Sequence, residues 1–152
     1  MKKFLSFWIV LLIVFLSFSQ IALAANDSSF IEYYGDGSYG ITTLKTEKLF
    51  FDSKGTKTRT KEFVYYDSDD TELWSASITA TFTYNGTTAI CTYVSKSTPI
   101  KDSSWRCTAA SCNKSGATAT GNFTFKKYFL GVTVQTVNKT LTLTCSPNGT
   151  IT

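Results

Sequence analysis

Four cysteines, eleven carboxylate side chains and no histidine bound the chemistry open to this chain. Without an imidazole, Ser-His-Asp and Cys-His nucleophile systems are excluded, and so are hydrolases whose metal is held by histidine. A carboxylate pair of the kind that cleaves glycosides is what remains. Glu32, Glu47, Glu62 and Glu72 lie in no distinctive local motif, and each reads as a solvated strand-edge or turn residue. The chain is therefore expected to be non-enzymatic and to need no cofactor.

The cysteines are Cys91, Cys107, Cys112 and Cys145. An even number in an exported chain suggests disulfides, with three possible connectivities. Cys91 falls on an apolar strand face, and Cys145 continues the alternation of Leu141 and Leu143. The expected pairs are Cys91–Cys145 and Cys107–Cys112, with buried or unpaired thiols as the competing account. Cys107 and Cys112 are an odd number apart, so joining them needs a turn at 109–111. The spacings do not suit zinc.

Two further clusters could hold a ligand. Asp67, Asp69, Asp70 and Glu72 crowd one short stretch and offer oxygens to calcium, although they lack the spacing of the helical calcium loop; a plain turn whose Asp residues bond their own backbone is the bland alternative. Tyr33, Tyr34 and Tyr39 flank the Gly-rich segment Gly35-Asp36-Gly37 and are candidates for a stacking platform. Trp74, Trp105 and Tyr128 are better spent on a core. Six Asn-x-Ser/Thr sequons, at Asn26, Asn85, Asn113, Asn122, Asn138 and Asn148, follow from the Thr-rich composition.

The elements that must carry these residues are strands. Trp74, Ala76, Ile78, Ala80, Phe82 and Tyr84 alternate with Ser75, Ser77, Thr79, Thr81 and Thr83, which places an apolar and a hydroxyl-rich face on one strand. Asn85-Gly86 suits a two-residue hairpin, which would set Tyr84 opposite Thr87, Phe82 opposite Ala89, Ala80 opposite Cys91 and Ile78 opposite Tyr93. Other strand candidates are Phe30–Tyr34, Ile41–Leu44, Lys48–Phe51, Lys61–Tyr66, Ser104–Thr108, Ala117–Phe125, Phe129–Gln135, Lys139–Ser146 and Gly149–Thr152. The apolar phase slips near Lys126-Lys127 and again near 136–138, where bulges or tight turns are expected. No segment keeps a helical period. The predicted fold is an all-β, antiparallel β-sandwich, immunoglobulin-like or small and barrel-like, in a single domain.

Residues 1–24 read as a signal peptide: Lys2-Lys3, an apolar run from Phe4 to Phe18, and the small-x-small box Ala22-Leu23-Ala24, with cleavage expected after Ala24. No later run is long enough to span a membrane. The remaining 128 residues suffice for one core, with 25–72 supplying acidic N-terminal strands and 73–152 a Thr-rich β-sandwich core. The first part holds ten acidic and six basic residues, the second one acidic (Asp102) and seven basic. If folding keeps these halves apart, the second offers a weakly basic surface to an anionic partner. Seven dispersed cations are too few for nucleic acid.

The segments TFTYNGTTAICT (81–92) and FKKYFLGVTVQTVNKTLTLTCSPNG (125–149), behind a signal peptide, resemble small exported proteins of Gram-positive bacteria that have no assigned function. The resemblance implies a β-sandwich and an exported setting, and no site residue. The expected function is a secreted, non-enzymatic protein that binds a cell-surface or extracellular partner, such as a cell-wall polymer or a protein. The alternative is a secreted membrane-active effector, pore-forming or toxin-like, in which the Thr-rich alternating strands, with Lys126 and Lys127 beside Tyr128 and Phe129, rearrange into a pore; such alternation is also what any half-exposed sheet requires.

Overall fold

The structure is a computed structural model that describes residues 29–45 and 55–152. The expected signal peptide, the candidate strand 48–51, Glu47 and the Asn26 sequon lie outside the described residues. Among the described residues, eight strands form two antiparallel sheets. The first sheet has the order β1 (Ser29–Tyr33), β2 (Tyr39–Lys45), β3 (Thr56–Tyr66), β4 (Glu72–Tyr84), β5 (Ala89–Ser97). The second has β6 (Trp105–Ser115), β7 (Thr118–Phe129), β8 (Val132–Thr144). Both are plain meanders, without the crossover that orders an immunoglobulin sandwich.

Alternation builds the core. Trp74, Ala76, Ile78, Ala80 and Phe82 of β4 are all fully buried, facing Phe123 and Phe125 of β7 and Leu141 and Leu143 of β8 in one buried cluster. An aromatic column crosses the sandwich: Tyr65 stacks on Trp74 at 4.8 Å, and Trp74 stacks on Phe125 at 3.7 Å. Gly121 lets the sheets approach, since a Cβ there would sit 2.3 Å from Ile78 Cγ2.

The β4–β5 hairpin differs from its expected register. The strands are joined by the four residues 85–88, and Tyr84 pairs with Ala89 and Phe82 with Cys91. Asn85 explains the wider loop: its Oδ1 accepts from the backbone N–H groups of Thr87 at 3.0 Å and Thr88 at 2.8 Å, an Asx arrangement that competes with the two-residue turn. A bulge then turns Tyr93 outward, where it is exposed instead of facing Ile78.

Strand β3 begins five residues earlier than expected. Lys57, Arg59 and Lys61 occupy its inner-face positions opposite Phe82, Ala80 and Ile78. Their stems cover apolar surface while the charged ends bond backbone carbonyls: Lys57 Nζ donates to Gly149 O at 2.9 Å and Lys61 Nζ to Thr142 O at 2.8 Å.

Folding does not keep the two charge halves apart: β4 and β5 of the second half complete the first sheet, and Glu32 and Glu72 pair with Lys139 and Lys101. Residues 105–152, which include all of the second sheet, hold five basic side chains and no carboxylate side chain.

Candidate functional site

The expected Cys107–Cys112 pair does not fit this fold. Both lie on the continuous strand β6, with a bulge between Cys107 and Ala109 and no turn at 109–111. Their cross-strand partners, Phe125 and Gly121, are four residues apart, so about 13 Å separates them. A disulfide spans at most roughly 7 Å between Cα atoms. Cys91 and Cys145 are placed differently. Both are buried, and their backbone N–H groups bond neighbouring carbonyls, Cys91 to Gly116 O at 2.8 Å and Cys145 to Ala117 O at 3.0 Å. Burial pushes both thiols up, and the nearness of Cys91 adds to the rise at Cys145. All four cysteines are free thiols in this structure.

The acidic stretch does not converge. Asp67 Oδ1 accepts from Asp69 N–H at 3.0 Å and Thr71 N–H at 2.9 Å, which closes the β3–β4 turn. Asp70 Oδ1 accepts from the Tyr39 hydroxyl at 2.9 Å, and Glu72 pairs with Lys101 at 2.6 Å. Asp69 is exposed. Among the described residues no group of three or more His, Cys, Asp or Glu side chains gathers as a metal site. Glu32 and Glu62 are likewise paired, with Lys139 and Lys45.

The tyrosine trio is split. Tyr33, Tyr39 and Tyr66 share one rung of the outer face, with Tyr39 stacked on Tyr66 at 5.0 Å and 6.1 Å from Tyr33. Tyr33 is 79% exposed. Tyr34 points the other way and packs edge-on against Tyr65 at 5.2 Å. Burial, then the charge of Glu32, pushes its hydroxyl up to about 12.

The surface feature that sequence reasoning missed is the tip of the β7–β8 hairpin. Strand β7 runs on through Lys126-Lys127 to Phe129, and the chain reverses at Leu130-Gly131 with Phe129 paired to Val132. Leu130 has φ 50° and Gly131 φ 81°, the positive pair of a type I′ turn. Asn, Asp or Gly fits the first of these positions; a leucine there costs about 1 kcal/mol of backbone strain. Leu130 buries nothing in return, being 89% exposed, with Phe129 and Val132 at 66% and 65%. Each such side chain forgoes roughly 1.5–3 kcal/mol relative to burial. A bulge between Lys127 and Tyr128 leaves Val134 exposed as well.

Cations ring the root of this tip. Arg106 lies over the Tyr128 ring at 5.8 Å and pairs along the sheet with Lys126, as Trp105 does with Lys127. No carboxylate lies within 4 Å of the charged ends of Arg106, Lys126 or Lys127 among the described residues. Beside the root is an open depression lined by Tyr34, Gly35, Asp36, Lys127, Val134 and Gln135. Its carboxylate is already engaged: Asp36 accepts from the Ser38 hydroxyl and from Gln135 Nε2. The legible signal was Gly131 inside an apolar run next to Lys126-Lys127.

A scan against protein families matches none of them, and no curated protein matches this chain. Among solved structures the chain is similar to the crystal structure of the hypothetical protein lmo2686 from Listeria monocytogenes EGD-e. The identity is 14% over 78% of this chain and 91% of that one, with a TM-score of 0.41. A likeness at that level assigns no function to either protein.

Proposed function

We propose that this chain is an exported, non-enzymatic module that attaches to a component of the cell surface through its β7–β8 hairpin. The observation that carries the reading is Leu130: a strained, almost fully exposed leucine at the apex of an apolar turn, flanked by Phe129 and Val132. Strain and exposure that fold stability does not repay point to a contact made with something else. The Tyr33–Tyr39–Tyr66 row extends the same end of the sandwich as a secondary contact. Export is supported by residues 1–24. The non-enzymatic reading is supported by the lack of histidine and by the separate ion pairs of Glu32, Glu62 and Glu72.

An oxidising exterior also favours a Cys91–Cys145 disulfide. The two thiols would give up two protons, and two electrons to a thiol–disulfide oxidoreductase, as the Sγ–Sγ bond forms. Their common burial and their amides on the adjacent Gly116 and Ala117 carbonyls support it.

Co-sedimentation of the purified protein with isolated cell envelopes, at low and high salt, tests the attachment. Retention in the pellet supports it, with salt sensitivity reporting the share of charge. Recovery entirely in the supernatant at both salt levels overturns it.

A further inference from the structure

We propose that the β7–β8 hairpin docks on an anionic lipid bilayer, with Phe129, Leu130 and Val132 entering the edge of the hydrocarbon while Lys126, Lys127 and Arg106 meet headgroup phosphates. This rests on the surface-attachment reading and names its partner.

Shape, charge and order along the hairpin select a bilayer. The apolar residues sit on a convex two-residue turn, not in a groove. A folded partner would need a complementary pocket for such a tip, whereas a bilayer accepts it without one. The sheet that carries the tip has no carboxylate side chain, and its cations nearest the tip are unpaired. Such a surface is drawn to anionic lipid.

The residues also follow the polarity of an interface. Leu130 is at the apex, Tyr128 lies two residues below, Lys127 three and Lys126 four. At the strand rise, Lys127 stands about 10 Å behind the apex. That matches the roughly 5–10 Å to which interfacial segments bury, with a tyrosine at headgroup level. On the β6 side, pairing of β7 ends at Tyr128, whose N–H donates to Ser104 O at 2.8 Å, and β8 has a neighbouring strand on one side only, so the projecting ribbon keeps unpaired backbone groups and cannot go deep into hydrocarbon. The hairpin docks and does not span.

Flotation of the purified protein with phosphatidylcholine vesicles, and with vesicles containing phosphatidylglycerol as well, tests this. Leu130→Asn is the decisive variant, because asparagine tolerates the positive φ and the fold is retained. The expected result is binding to the phosphatidylglycerol vesicles that weakens with salt. It should fall at least about tenfold in Leu130→Asn and also in the double variant Lys126→Gln, Lys127→Gln, with melting temperatures no lower than that of the native protein. No flotation with phosphatidylglycerol vesicles, or equal flotation of Leu130→Asn, overturns the lipid assignment. Envelope retention of the same proteins separates the two readings: if the native protein ignores the vesicles while Leu130→Asn loses its envelope retention, lipid is wrong and attachment through the hairpin stands.

Discussion

Gln135 on β8 donates from Nε2 to Asp36 Oδ2 at 2.9 Å, across the gap between the two sheets. The same nitrogen donates to the Tyr65 hydroxyl at 3.0 Å, and Ser38 Oγ lies 2.5 Å from both that hydroxyl and Asp36 Oδ1. This network ties the β1–β2 turn to the root of the projecting hairpin, so the apolar tip stands on a fixed base.

The network has an acid limit. The Ser38 hydroxyl, above all, holds the Asp36 carboxyl below its ordinary value of 3.8, with burial opposing it. A depressed carboxylate pKa contributes stability that is present above the unfolded value and lost as pH falls through the folded one. The melting temperature of the native protein is expected to drop more steeply below pH 3.8 than that of Asp36→Asn. Parallel curves from thermal melts across that range would contradict the assignment.

Tyr34 sets an alkaline limit. Its hydroxyl is raised from 10.0 to about 12 by burial and by Glu32, which favours the neutral form in the folded state. The stability it adds is present below pH 10 and is lost as pH rises from there towards 12. Absorbance titration is expected to show a late phenolate phase, to which the raised Tyr39 and Tyr65 also contribute, and its last part is expected to lose one phenol's amplitude in Tyr34→Phe.

Oxidation is expected to be selective. Intact-mass measurement after alkylation should show Cys107 and Cys112 modified and Cys91 joined to Cys145, with reduction lowering stability by about 2–4 kcal/mol. Four alkylated cysteines in protein recovered from an oxidising compartment would remove the disulfide.

Gly149 is fixed by position. It has φ 82°, and a Cβ there would lie 2.4 Å from the Tyr84 ring. Gly149→Ala should cost about 1–3 kcal/mol in urea denaturation. Gly35, with nothing within 4 Å of its Cβ position, is the control, and Gly35→Ala should change stability by no more than about 0.5 kcal/mol.

The strands that alternate cleanly were legible in the sequence. On β4 every inward residue from Trp74 to Phe82 is buried as its period requires, because one face packs and the other carries hydroxyls. What the sequence concealed depends on contacts far along the chain. The inner face of β3 reads as charged because Lys57 and Lys61 reach carbonyls of Gly149 and Thr142. The β4–β5 loop is wider than Asn-Gly implies because Asn85 caps it and Gly86 N–H bonds Pro147 O at 2.9 Å. β6 runs straight through Cys112 because its bulge restores the inward phase that parity seemed to break. The hairpin tip was hidden for the opposite reason. Leu130 breaks the local rule for its turn, so the phase slip points to a bulge or tight turn at Lys126-Lys127; a bulge does lie there, between Lys127 and Tyr128, while the reversal comes three residues later.

The exposed Leu130 is proposed to serve a contact outside the chain. Envelope retention of Leu130→Asn, measured beside its melting temperature, tests it most directly. The variant is expected to be at least as stable as the native protein and to be recovered in the supernatant. A variant retained as fully as the native protein would contradict it.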